Sequence, residues 1–149
     1  MRKPLFPCAN HIIVVNDGSA DDTAQILSQI DGIEILTHER NRGKGTALKN
    51  GLCKAKADGF RYAITIDSDG QHFASDIPTF VGEIEQTPDN LLVGSRNIQA
   101  DNMPGKNTFA NHFSNFWFCL QTWQFLPDTQ SGYRLYPLQK LRNLGWLTN

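Results

Sequence analysis

Apolar residues alternate between two spacings along the chain. Short, largely β-branched runs at 12–15, 33–36, 62–66 and 91–93, with a weaker one at 133–136, predict strands. Between them, Ala47, Leu48, Leu52 and Ala55 share one helical face, as do Ile77, Phe80, Val81 and Ile84. A further helix carries Ala24, Leu27 and Ile30, with Ser19 or Asp21 as its cap. Asp76 is the expected cap of the helix that begins at Ile77, and Gly59 stands where the preceding helix should stop. Strand and helix in alternation predict an α/β fold, a mostly parallel sheet flanked by helices. The 149 residues suffice for one domain, 1–149, and show neither an internal repeat nor a low-complexity linker.

Polar residues collect where the predicted strands end. The first strand runs into Asn16-Asp17-Gly18-Ser19, the third into Asp67-Ser68-Asp69-Gly70, and the fourth into Gly94-Ser95-Arg96. In open α/β sheets, ligands bind beyond the carboxyl ends of the strands. One rim therefore receives acids, a hydroxyl and an arginine.

Asp67 and Asp69, two residues apart at a strand end, can converge on a hard cation such as Mg2+ or Mn2+, with Gln71 as a third oxygen donor. Such an ion would neutralise a diphosphate leaving group. A solvated Asp-Gly turn is the plainer alternative. Asp17 could accept hydrogen bonds from a base or ribose, with Ser19 beside it, or could simply close a turn. The run Asn41-Arg42-Gly43-Lys44-Gly45-Thr46 fails the Walker A pattern, because His38 and Gly45 stand where Gly and Ser or Thr are needed. Two glycines and two cations opening a helix nevertheless suit an anion, and Lys44 is the phosphate-binding candidate. Arg96 and Arg134 are candidates for bidentate phosphate clamps. His72 is read as structural first, and as a ligand or proton carrier second. The segment 109–125 holds seven aromatics. Most of them share a stripe suited to core packing, while Phe118 and Trp123 leave room for a lipid-facing surface.

Composition narrows the partners. A net charge of -1 gives no electrostatic footprint for nucleic acid. The three widely spaced cysteines, Cys8, Cys53 and Cys119, form neither a disulfide framework nor a zinc knuckle, which favours the cytoplasm. No apolar run approaches the roughly 20 residues of a membrane span, so a soluble chain is expected.

Together these motifs resemble family 2 glycosyltransferases of the GT-A type, in their dolichol-phosphate mannosyltransferase-like branch. The resemblance rests on Val14-Val15-Asn16-Asp17-Gly18-Ser19, Asn41-Arg42-Gly43-Lys44-Gly45, Asp67-Ser68-Asp69-Gly70-Gln71-His72, Gly94-Ser95-Arg96, and Asp128 with Ser131-Gly132-Tyr133-Arg134, in that order. It implies inverting, metal-assisted transfer from a nucleoside-diphosphate sugar to an acceptor, commonly a polyprenyl phosphate. Asp17 would contact the nucleotide, and Asp69 and Gln71 would join Asp67 at the metal. Arg96 and Arg134 would face phosphate, and Asp128 would be the first base to test if the acceptor were a hydroxyl. The resemblance also implies a further strand and helix ahead of Asp17, and 1–10 supplies neither. A chain truncated at both ends, with exposed strand edges and self-association, is therefore expected. The full-length protein is expected at the inner face of a membrane. The alternatives are a non-catalytic nucleotide-binding fragment, a haloacid-dehalogenase-like phosphatase with Asp67 as nucleophile, and a phospho-accepting receiver domain.

Overall fold

The computed structural model describes residues 9, 11–70, 72–94 and 131–141. Strand and helix alternate as the hydrophobic pattern predicts: β1 (Ile13–Asn16), α1 (Thr23–Ser28), β2 (Glu34–Thr37), α2 (Lys44–Ala57), β3 (Tyr62–Thr65), α3 (Ile77–Gln86), β4 (Leu92–Val93) and β5 (Arg134–Pro137). Observed strands lie within a residue or so of the predicted runs. Gly59, at φ 86°, follows the end of α2 as anticipated.

Two caps differ from expectation. Asp76 makes no capping bond at the start of α3, because a turn of 3-10 helix at Ala74–Asp76 already holds it in helical geometry. At α1, Asp21 accepts the Thr23 N–H at 3.1 Å and the Thr23 hydroxyl at 2.5 Å, an Asx turn before the helix. The helix is shorter than its apolar spacing suggested and ends before Ile30.

β1 and β2 pair in parallel, Ile13 opposite Glu34 through Asn16 opposite Thr37. The other three strands are ordered β3-β5-β4, with β5 antiparallel to both neighbours. β3 and β4 therefore run in the same direction, and the returning strand β5 is inserted between them. This orientation matters, since the amino end of β5 reaches the rim where β3 and β4 finish. Among the described residues no strand pairing joins the β1–β2 ladder to the second sheet.

Alternation along β5 sorts the core onto two faces. Tyr133 and Leu135 pack with Ile77, Phe80 and Ile84 of α3, against Tyr62, Ile64 and Leu92. Tyr136 and Leu138 pack with Leu52 and Ala55 of α2, against Ile13, Leu48 and Ala63. Each such Leu, Ile or Phe contributes about 1.5–3 kcal/mol of burial free energy. Val81, expected on the buried face of α3, is 41% exposed. Gly51 lets α2 sit close on β1, where a Cβ would come within 3.2 Å of Val15 Cγ2.

Candidate active site

The rim is built from the ends of both ladders. Asn16, the last residue of β1, is 4% exposed, and its Oδ1 accepts the Ser19 N–H at 3.1 Å, which shapes the turn. Gly18 takes φ +67°, and a methyl group there would overlap the backbone of Arg40 and Asn41. Only glycine permits both the turn and this approach. The close passage delivers the Arg42 N–H to Asp17 Oδ1 at 2.9 Å. The same oxygen lies 2.6 Å from His38 Nδ1. These two bonds, His38 first, hold the Asp17 carboxyl below its ordinary value.

From the second ladder, Asp67 follows β3 and lies beside the amino end of β5. Its carboxylate rests on Gly132, where any Cβ would overlap it. Thr65 secures that turn by donating its hydroxyl to the Gly132 carbonyl at 2.8 Å. Ser131, buried, accepts the Tyr133 N–H at 3.2 Å, and its carbonyl accepts Arg134 Nε–H at 2.7 Å. Tyr133 donates its hydroxyl to the Phe73 carbonyl at 3.0 Å and stacks obliquely with His72 and Phe80, fastening the segment after Asp69 to the sheet. Burial, then the nearby Asp76, raises the Tyr133 phenol above its ordinary value, so it remains a donor. His72 is thus a packing residue in this structure, as the structural reading expects.

One short loop joins the two ladders' acids. Its Arg42 N–H bonds Asp17, and Lys44, the first residue of α2, places Nζ 2.7 Å from Asp67 Oδ2. Asp17 and Asp67 are thereby linked through 42–44 along one rim; Ser19 lies in the turn after Asp17, and Arg134 opens β5 two residues after the Gly132 on which Asp67 rests. Asp69 is exposed on the turn after Asp67. Gln71, Arg96, Asp128 and the aromatic segment 109–125 lie outside the described residues.

Two residues at the rim were missed in the sequence. His38 follows β2, and its backbone N–H extends the ladder to the Asn16 carbonyl at 2.9 Å, which sets its side chain beside Asp17. Asn50 on α2 contacts the other ring nitrogen, Nδ2 to Nε2, at 2.8 Å. The rule that polar residues at strand ends form the site would have found His38 had it been applied to β2 as well.

A second acidic group, His11, Glu34 and Asp58, lies away from the rim, at the start of β2 and the end of α2. Lys54 already fills it, with Nζ 2.7 Å from Glu34 and 2.6 Å from Asp58. A metal there would have to displace an ammonium that satisfies both carboxylates.

Residues 7–142 match the model of glycosyl transferase family 2. The chain belongs to that family. The match spans Asp17, Asp67 and Arg134 in one unit, which removes the grounds for the phosphatase and receiver readings. Family 2 relatives include the UDP-N-acetylglucosamine–dolichyl-phosphate N-acetylglucosaminyltransferase of Methanococcus voltae, 30% identical over 91% of this chain and 61% of its own length. The dolichyl-phosphate beta-glucosyltransferase of Dictyostelium discoideum is 27% identical over 89% of this chain and 44% of its own. The polyprenol monophosphomannose synthase of Mycolicibacterium smegmatis is 23% identical over 90% and 53%. The chain therefore spans about half the length of these relatives. Among the described residues of this family 2 chain, no helix is long and apolar enough to cross a membrane.

Proposed function

We propose that this chain is the donor-binding part of a glycosyltransferase that moves a sugar from a nucleoside diphosphate to a polyprenyl phosphate, with inversion at the anomeric carbon. The observation that carries the reading is the single loop, 41–44, bonded to Asp17 on one ladder and to Asp67 on the other. A nucleoside diphosphate has a hydrogen-bonding base and ribose at one end and charge at the other, and the rim offers an acceptor and a cation in that arrangement. The names of the relatives favour dolichyl- or polyprenyl-phosphate as acceptor.

Asp67 and Asp69 would hold Mg2+ or Mn2+, with Gln71 as a third donor. Hard carboxylate oxygens suit either ion, and an ion at Asp67 Oδ2 would displace the Lys44 ammonium, which stands 2.7 Å away on a side chain that is 71% exposed. What the ion supplies when bound is neutralisation of the diphosphate that leaves. The protein's own part is positional. Asp17 accepts from the nucleoside, with Ser19 at the same turn, and Lys44, Arg96 and Arg134 hold phosphate oxygens. A polyprenyl phosphate is already an anion and attacks without deprotonation, so Asp128 acts as base only if the acceptor is a hydroxyl. A lipid acceptor would bring the protein to a membrane surface, which we read as the inner, cytoplasmic face.

The test is a panel of UDP- and GDP-sugars, followed by melting temperature and by release of nucleoside diphosphate onto a polyprenyl phosphate. Binding should require Mn2+ or Mg2+ and disappear with chelator, and Asp69→Asn should lose most of that dependence while still folding. Equal nucleotide affinity with and without the ion would refute the metal bridge. Ion-dependent binding with no transfer in any combination would identify a nucleotide-binding fragment instead.

A further inference from the structure

Asp17 is not a free carboxylate, and its partners have a definite chemistry. Asn50 Nδ2 carries only hydrogens to offer, so His38 Nε2, 2.8 Å away, must be the acceptor. The ring proton then resides on Nδ1, aimed at Asp17 Oδ1 over 2.6 Å. Arg42 N–H reaches the same oxygen. These two donors converge on Oδ1, the Gly43 N–H also bonds the carboxylate, and Oδ2, with two lone pairs, keeps the capacity to accept. The His38 side chain is 8% exposed and the Asp17 side chain 18%, so the array is fixed by packing and largely shielded from competing water. Its three members come from three elements: the end of β1, the end of β2, and the body of α2.

We propose that His38 is a positioning residue for nucleotide recognition. Held as the Nδ1–H tautomer by Asn50, it keeps Asp17 in one rotamer, so that Oδ2 presents a single oriented acceptor to an N–H of the base or a ribose hydroxyl. This inference rests on the proposed role of Asp17 as the nucleoside contact. It adds a residue that touches no substrate and acts only through Asp17. Two donors on one oxygen also oppose rotation of the carboxylate, so the acceptor direction is set before ligand arrives.

Affinity for UDP and for GDP, each with Mn2+, should be measured by calorimetry on the full chain and four variants. His38→Phe keeps the ring's bulk but removes the N–H, and should weaken binding about tenfold, the equivalent of one hydrogen bond to a charged group. His38→Asn places an amide N–H near the Nδ1 position and should restore affinity to within about threefold of wild type. Asp17→Ala should weaken binding at least as much as His38→Phe, and the double variant Asp17→Ala/His38→Phe should be no weaker than Asp17→Ala alone. Long-range proton–nitrogen spectra of the neutral ring should show Nδ1 protonated and Nε2 bare. Unchanged affinity in His38→Phe, an effect that adds to that of Asp17→Ala, failure of His38→Asn to rescue, or the opposite tautomer would each overturn the proposal. Unchanged affinity in Asp17→Ala would instead overturn the nucleoside contact on which it rests.

Discussion

The carboxylate of Asp67 rests directly on the Cα of Gly132, in the turn that opens β5, with no room for a side chain between them. The acid proposed to hold the metal thus owes its position to an absent methyl group on another segment, 65 residues away in the chain.

Gly132→Ala should therefore turn Asp67 away from the rim. Metal-dependent nucleotide affinity and turnover should fall, on the order of tenfold to a hundredfold for a displacement of about an ångström. Gly82→Ala on α3, where nothing lies within 4 Å of the added methyl, should leave both unchanged and stabilise the helix by roughly 0.5–1 kcal/mol. Calorimetry and thermal melts of the two variants check this. Normal metal dependence in Gly132→Ala would show that Asp67 is not a ligand in the position described.

Lys44 and Arg134 should separate by stability. The Lys44 side chain is 71% exposed, and an exposed pair contributes at most about 1 kcal/mol. Lys44→Ala should barely move the melting temperature while weakening nucleoside diphosphate binding about three- to tenfold. Arg134→Lys keeps the charge but loses the Nε–H bond to the Ser131 carbonyl as well as the planar fork. Its melting temperature and its affinity should therefore fall together. An Arg134→Lys protein that binds normally but melts early would make the arginine structural.

The fold was legible because its signals are local. Runs at 12–15 and 62–66 alternate with helical stripes, and the strands fell within a residue or so of their predicted positions. The insertion of β5 between β3 and β4 was not legible, since strand order depends on long-range pairing and the run at 133–136 carries no mark of direction. The acids of the rim were readable from their places after strands. His38 follows β2 by the same rule, but its role beside Asp17 arises only when β1 and β2 pair in register and bring 38 beside 17. The closeness of Gly132 to Asp67 was likewise invisible, being a contact between segments far apart in sequence. The Asp76 cap failed for a local reason: the preceding 3-10 turn had already set the helical geometry.

Away from the rim, Glu34, Lys54, Asp58 and His11 predict a broad pH window. Lys54, then His11, holds the Glu34 carboxyl below its ordinary 4.5. Asp58, then Glu34, holds the Lys54 ammonium above its ordinary 10.5. A depressed carboxylate stabilises the fold above its unfolded value and loses that contribution as pH falls through its lower folded value. A raised ammonium stabilises below its unfolded value and loses that as pH rises through its higher folded value. The melting-temperature difference between wild type and Glu34→Gln should accordingly shrink as pH falls below about 4.5 and as it rises above about 10.5. The depressed carboxyls of Asp17 and Asp21 should leave some acid lability in the variant. A difference that is independent of pH throughout would mean that the pair is not coupled to folding.

The strand edges predict association. Among the described residues, β1 pairs on one side with β2, and β3 on one side with β5. Unpaired N–H and C=O groups along the other edges are templates for a further strand. Sedimentation should find this chain self-associating or only marginally stable. A monomer that melts cooperatively would show those edges to be satisfied within the chain.

The two ladders share no pairing among the described residues, and the span between Asp17 and Asp67 is bridged there by packing. The bridge is α2, which sits on β1 through Gly51 and on the second sheet through Leu52 and Ala55, and whose opening loop touches both acids. On the proposed roles of Asp17 and Asp67, the helix would work as a ruler for the ligand: the length between nucleoside and diphosphate would be written in the side chains beneath α2. Trimming Leu52 would recalibrate that length without altering any group at the rim.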